Sequence, residues 1–275
     1  MDKDTIKREI VPYLSVGSRG PAVKVPIECI LEAILYRLKT GCQWRELPME
    51  KFFQQKYSCK SVYRHFREWC RDGSWLAVWK ALLQKYRKDL DLSTVQLDGS
   101  QTIAKRGGCA VGYQGRRKAE TTNMLFLVDN SGMIVSCSEA ISGEHHDLYQ
   151  IQTFFDQLCA ILQQAGIAIE GLFINADAAF DSAEFRECCS SIEMIANVPE
   201  NPRNNQQKDS DQYFDELLYR RRSVAEHSFA WMDSCKALLI RFETLAETWR
   251  AMNILGMIRL FLRRISKRID KLKQL

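Results

Sequence analysis

No stretch of this 275-residue chain approaches the ~20 uninterrupted apolar residues of a membrane-spanning helix, so no membrane segment is expected. Met1-Asp2-Lys3-Asp4 is followed by no apolar signal segment, and the expectation is a soluble intracellular chain. The ten cysteines are scattered, without one CxxC pair. Zinc ribbons need closely paired ligands, so that class is excluded, and the thiols read as small core residues in a reducing compartment. Histidines number four (His65, His145, His146, His227), too few and too dispersed for a histidine-rich metal site. Gly107, Gly108, Gly112 and Gly115 lack the Walker spacing and its Lys-Ser/Thr ending, which excludes a nucleotide phosphate loop.

What is present supports a core: 46% hydrophobic and 10% aromatic residues across the chain exclude wholesale disorder. At ~150 residues per domain, the length suits one large domain or a main domain with a smaller companion. The net charge of +5 is unevenly spread. Between Lys51 and Asp89, ten Lys/Arg stand against three acids, and the tail from Gly256 carries seven against Asp270 alone. Lys105, Arg106, Arg116, Arg117 and Lys118 form a third basic block with no acid among them. Each block alone reads as a solvated face; together they are the electrostatic footprint of a polyanion-binding protein.

Residues up to about 90 read as helical. Ile27, Ile30, Leu31, Ile34, Leu35 and Leu38 recur at helical spacing until Thr40-Gly41 breaks the pattern. A short segment over 48–55 and a turn at Lys56-Tyr57-Ser58 precede a second helix over 58–70. That helix would bury Val62, Phe66 and Trp69 and display Lys60, Arg64, Arg67 and Arg71. Trp75, Trp79, Leu82 and Tyr86 start another stripe. A short helix, a tight turn and a basic amphipathic helix suit a helix-turn-helix, and suit a plain bundle with a basic surface equally well.

Beyond Leu92 the texture becomes mixed α/β. Strands are predicted at 94–98, 121–128, 133–140, 171–175 and 192–198, with a hairpin turn at Asp129-Asn130-Ser131-Gly132. Helices are predicted at 148–162 and 182–189, and a long one from Leu217 to Leu239 follows a polar loop over 199–211. Three strands in succession, then strands alternating with helices, resemble the RNase H-like sheet. In that arrangement Asp98 lies on the first strand, Asp177 at the carboxyl end of the fourth, and Glu226 on the helix after the fifth. Ligands gather beyond strand carboxyl ends in open α/β sheets, and carboxylates suit Mg²⁺ or Mn²⁺. On the long helix Tyr219, Arg222, Glu226, Phe229 and Asp233 share one face. Val224, Ala225, Trp231, Met232, Cys235, Leu238 and Leu239 take the apolar side, with Trp231 expected in the core. Ile258, Leu262, Ile265, Ile269 and Leu272 form a terminal stripe, core or dimer seam.

Four stretches together resemble the DDE transposases of bacterial insertion sequences, of the insertion-sequence-five type and related to the insertion-sequence-four superfamily. They are Leu97-Asp98-Gly99-Ser100 with the basic glycine-rich segment 104–118, Ser142-Gly143-Glu144-His145-His146-Asp147-Leu148, Asn175-Ala176-Asp177-Ala178-Ala179-Phe180-Asp181, and Tyr219-x-x-Arg222-x-x-x-Glu226. Residues 41–75, with Trp44-Arg45-Glu46-Leu47-Pro48 and Val62-Tyr63-Arg64-His65-Phe66, resemble the family's N-terminal helical domain. The chain departs from the family's pattern at Ala178, His227 and Asp233, where basic residues are usual.

The resemblance implies an α/β fold: an RNase H-like mixed five-stranded sheet flanked by helices, preceded by a small all-α domain. Residues 1–90 would bind DNA, and 91–275, with a basic C-terminal helix, would form the catalytic domain. Asp98, Asp177 and Glu226 would hold two Mg²⁺ ions (Mn²⁺ substituting) for cleavage and strand transfer of the element's terminal inverted repeats. Lys60, Arg64, Arg67, Lys105, Arg106, Arg116, Arg117, Lys118, Tyr219 and Arg222 would contact double-stranded DNA, at the element ends and the target. A homodimer or higher homo-oligomer on cytoplasmic, nucleoid-associated DNA is implied as well. A metal-dependent nuclease without strand transfer, or an inactive DNA-binding derivative, are the alternatives.

Overall fold

The computed structural model describes residues 1–16, 23, 25–202 and 213–272, the last four by backbone alone. Most of the loop predicted over 199–211, and the Ile269 and Leu272 side chains of the terminal stripe, fall outside the described part.

The N-terminal helices form where capping chemistry and periodicity coincide. Asp2 accepts from the Thr5 amide to start α1 (Lys3–Glu9), and α2 (Ile27–Thr40) ends at Gly41, whose φ of 70° is open to a glycine. After the single turn of α3 (Met49–Phe52), Ser58 caps α4 (Cys59–Arg71); α5 (Ser74–Lys85) follows Gly73. Helix α4 buries Val62, Phe66 and Trp69, as its spacing predicted, and His65 as well, against α2 and α5.

The sheet is built on β1 (Thr94–Ala104). Next come β2 (Gly112–Gln114), β3 (Ala119–Asp129), β4 (Ile134–Cys137) and β5 (Ile141–Ser142). Helix α6 (Ile151–Gln164) leads to β6 (Phe173–Asn175), and α7 (Ala183–Ser191) to β7 (Ile195–Asn197). The spatial order β4-β3-β1-β6-β7, antiparallel on one side of β1 and parallel on the other, is the RNase H-like sheet. The hairpin turn is held by the buried Asp129 carboxylate, which accepts from the Ser131 and Met133 amides.

The strand count is larger than predicted. The described sheet has eight strands, because β1 does not stop at Gly99. It runs on to Ala104 and pairs there with β8 (Ile240–Arg241), while β2 and β5 flank the lower half of β3. The helix predicted over Leu217–Leu239 is also broken. It consists of α8 (Glu216–Tyr219), a 3₁₀ turn at Arg220–Arg222 and α9 (Ser223–Met232). Helical periodicity continues in the sequence, but pairing of Ile240-Arg241 with the free end of β1 outcompetes it. Leu238 is thereby turned into the core beside α10 (Ala246–Leu272). Gly256 permits that close approach, since a Cβ there would lie 2.8 Å from the Leu238 side chain. Trp231 is not core: it is 41% exposed, with the Arg264 guanidinium 4.4 Å above its ring.

One continuous hydrophobic cluster joins the helical part to the sheet part. Helix α10 supplies Trp249, Met252, Leu255, Ile258, Phe261, Leu262 and Ile265, so the described part of the terminal stripe is core. Trp79 of α5 meets Phe261 edge-on and donates its indole N–H to the Val135 carbonyl of β4 at 3.0 Å. Arg37 of α2 and Glu243, both almost fully buried, pair at 2.7 Å. No helix among the described residues is long and apolar enough to cross a membrane.

Candidate active site

The pairing of β1 with β6 leads two of the three predicted acids to the same end of the sheet. In the parallel pairing of β1 with β6, Gln96 stands opposite Asn175. Two residues further along β1 comes Asp98, and two residues past the end of β6 comes Asp177. The Arg222 guanidinium joins them: its Nη2 lies 3.8 Å from Asp98 Oδ1 and 3.4 Å from Asp177 Oδ2. Asp98 sits in mid-strand, opposite Phe126, and accepts from the Gly99 amide at 3.0 Å. Asp177 begins a short 3₁₀ turn and accepts from the Ala179 amide.

A further acid, Asp147, stands beside this pair. Its carboxylate lies against Gly99, where a Cβ would come within 2.5 Å of Oδ1, and it accepts from Asn123 Nδ2 at 2.5 Å. Gly99 therefore ends no strand; it makes room for a carboxylate. Burial pushes the Asp98 carboxyl up to about 6, Arg222 works against this, and the Asp177 and Asp147 charges add to it. Asp147 is raised as well, by burial first and then by Asp177, with the Asn123 hydrogen bond opposing. Burial also raises the Tyr219 phenol, whose ring packs on Phe214 within electrostatic range of Asp177 and Asp98.

Glu226 is placed differently. It is exposed on α9, four residues after Arg222 and three before Phe229, whose ring meets that of Phe126 at 5.5 Å. It thus shares the helix face that bridges the carboxylates on one side and covers the Asp98 partner on the other. Its own carboxylate does not join the contact, and among the described residues no three His, Cys, Asp or Glu side chains converge on one point. Side-by-side Asp98 and Asp177 are hard oxygen donors and fit a divalent cation in donor chemistry.

The remaining predicted contacts are spread around this centre. Lys105 and Arg106 lie exposed just past β1, and Arg116, Arg117 and Lys118 lie exposed at the tip of the β2–β3 hairpin, so both basic groups extend from the same end of β1. Arg241, fully buried, fixes the first loop by donating to the carbonyls of Cys109, Ala110 and Glu243 and to the Thr122 hydroxyl. On α4, Lys60 and Arg64 are exposed, whereas Arg67 is drawn towards Glu247 of α10 at 3.8 Å. His145 stacks on Tyr149, and His146 accepts from the Leu148 amide, so this pair serves the loop that presents Asp147. Asp181 braces its turn through Arg186 and the Asn201 amide.

Sequence reasoning missed Asp147, although its motif was legible, because nothing local says that residue 147 returns to residue 99. It also missed three buried amides, Gln96, Asn175 and Asn197, whose only sequence signal is polarity inside apolar strands.

Comparison with known proteins gives the family. Residues 83–261 match the family model described as "Transposase DDE domain", and residues 8–79 match one described as "Putative transposase of IS4/5 family". Over 84 residues the chain is 34% identical to an "Insertion element IS402 uncharacterized 16.2 kDa protein" of Burkholderia cepacia; this covers 30% of the chain and 55% of that relative, about half its length. Solved structures that align with it include a piggyBac transposase synaptic complex with hairpin DNA, at 10% identity and a TM-score of 0.48 over 97% of this chain and 75% of that one. Another is the catalytic domain of Mos1 mariner transposase, at 14% identity and a TM-score of 0.31 over 74% and 92%. The strand order and the match over residues 83–261 lead to one conclusion: the chain belongs to the transposase DDE domain family.

Proposed function

We propose that the protein is a transposase that binds the terminal inverted repeats of its own insertion sequence and cuts and joins DNA there. The observation that carries this reading is the Asp98–Arg222–Asp177 contact, two carboxylates bridged by one guanidinium on the segment that also carries Glu226. Asp98 and Asp177 would hold divalent ions, Mg²⁺ with Mn²⁺ as a substitute, and Glu226 would complete the ligand set from the face of α9. Such ions lower the pKa of an attacking water or 3′-hydroxyl and stabilise the leaving oxygen. Arg222, now shared between two acids, would meet a backbone phosphate instead, and Tyr219 would stack or hydrogen-bond beside the cut strand.

In this reading residues 1–90 bind DNA through Lys60 and Arg64, with Arg67 contributing once released from Glu247. Residues 91–275 do the chemistry, with Lys105, Arg106, Arg116, Arg117 and Lys118 tracking the backbone beyond the carboxyl end of β1. Two or more copies of the chain would pair the element's ends on nucleoid DNA in the cytoplasm. The test is an end-cleavage and joining assay on the DNA flanking the gene. Cleavage and strand transfer that need Mg²⁺ or Mn²⁺ and vanish in Asp98→Ala, with end binding retained, are the expected result. Cleavage without joining would make the protein a nuclease, binding without cleavage an inactive derivative, and cleavage retained in Asp98→Ala would refute the site.

A further inference from the structure

Parallel strands buried on both faces are ordinarily filled with Val, Ile and Leu. Here one rung across β1, β6 and β7 is instead made of Gln96, Asn175 and Asn197, direct register partners that are all 0% exposed. Their carboxamides are chained: Asn197 Nδ2 donates to Asn175 Oδ1 at 2.7 Å, and Asn175 Nδ2 donates to Gln96 Oε1 at 2.8 Å. The chain closes on Gln96 Nε2 donating to Thr94 Oγ1 at 2.8 Å.

What remains of their hydrogen-bonding capacity is aimed at one target. Asn197 pairs with the backbone of Asp215 at two points, donating to its carbonyl at 2.9 Å and accepting from its amide at 2.7 Å. Asn175 Nδ2 also donates to the Leu218 carbonyl at 2.9 Å. Asp215 caps α8, so the rung grips the segment at its first turn. Arg222, four residues after Leu218, meets Asp98 and Asp177, each two residues past its own member of the ladder.

We infer that Gln96, Asn175 and Asn197 are positioning residues, a carboxamide ladder that sets the axial register of the Tyr219–Arg222–Glu226 helix against Asp98 and Asp177. The ladder acts only through that helix, and its role in DNA cleavage rests on the function proposed above. A rung of valines would pack the sheet as well and leave α8 free to slide or tilt. A misplacement of about 1 Å in a catalytic array costs about 100-fold in rate.

The test uses the full chain with Asn197→Val, Gln96→Met and, as a control, Ser136→Ala. Ser136 is equally buried, and its hydroxyl bonds the Leu158 carbonyl away from the site. Hydrogen exchange is read separately for amides 215–226 and for those of β1 and β6. Single-turnover cleavage and end-DNA affinity are measured alongside. In Asn197→Val, exchange over 215–226 should rise at least about tenfold with the strands unchanged, as expected when two buried hydrogen bonds are lost locally. Cleavage should fall about 100-fold with affinity held within about threefold. Gln96→Met, which touches the helix only through Asn175, should move both readouts the same way and less, and it stands in if Asn197→Val does not fold. Ser136→Ala should move neither. Exchange that rises uniformly over strands and helix, or stays unchanged over 215–226, would overturn the inference. Should the wild type not cleave end DNA, the proposed function fails and the exchange measurement still decides the ladder.

Discussion

Replacing Asp98 with Asn should abolish catalysis and stabilise the fold. Burial first, then the neighbouring Asp177 and Asp147, raise this carboxyl from 3.8 to about 6. A carboxyl with a raised folded-state value binds more protons folded than unfolded between those limits, so stability is lost as pH rises through the window and stays lost above it. A difference of about two units corresponds to about 3 kcal/mol at pH 8, shrinking to about 1 kcal/mol at pH 4.5. Asp98→Asn removes the ionised form and keeps the shape. Its gain should therefore be up to about 3 kcal/mol at pH 8, some 6–10 °C in Tm for a chain of this size, and about a third of that at pH 4.5. Thermal unfolding at the two pH values in chelator is the assay. Millimolar Mn²⁺ at pH 8 should raise the Tm of the wild type and not of the variant. A variant less stable than wild type at pH 8, or a gain independent of pH, would refute the electrostatic argument.

Other consequences are separable. Arg37→Met should cost about 3–5 kcal/mol by leaving the buried Glu243 carboxylate unpaired, and adding Glu243→Leu should recover more than half of that in denaturant unfolding. Losses that simply sum would show that the ion pair is not coupled. Gly108→Ala should cost about 1–3 kcal/mol, because φ is 114° and its Cβ would collide with the Thr244 carbonyl; an unchanged midpoint would contradict this. Alanine at Arg116, Arg117 and Lys118 together should flatten the salt dependence of end-DNA binding by about 0.9 in log–log slope for each phosphate contact removed, and an unaltered slope would take the hairpin tip off the DNA.

What the sequence made legible was what local chemistry decides. Helices α2 and α4 declared themselves because Ile30-Ile34-Leu38 and Val62-Phe66-Trp69 repeat at the helical period. Asp129-Asn130-Ser131-Gly132 declared a hairpin because an Asp that bonds its own backbone and a Gly at φ 83° are turn chemistry. Asp98 and Asp177 were found because each follows a short β-rich run. The misses are all tertiary. Gly99 looks like a strand end until Asp147 is seen against it, and Trp231 looks like core until Arg264 covers it. The break after Met232 exists because β1 offers Ile240-Arg241 an edge to pair with, and no local propensity encodes an edge. The amide rung is the subtlest case. Three polar residues in three separate strands mean nothing until the register makes them neighbours.

In the proposed function, the exposed position of Glu226 would follow from the charges around Asp98 and Asp177. Among the described residues Arg222 is the one cation touching Asp98 and Asp177, and it already serves both. With Asp147 close by, Asp98 is raised to about 6 even so. A fourth carboxylate drawn in would add another like charge in a half-buried setting, where such charges interact by several kcal/mol at contact distance. An exposed glutamate on the same helix face escapes that repulsion by turning outward. If Glu226 completes the proposed ligand set, the set closes only when more positive charge arrives than one guanidinium provides, and a phosphate that drew Arg222 away would sharpen the demand. In the proposed function, binding of DNA and of a divalent ion would then be thermodynamically linked, each raising the affinity for the other by the same factor.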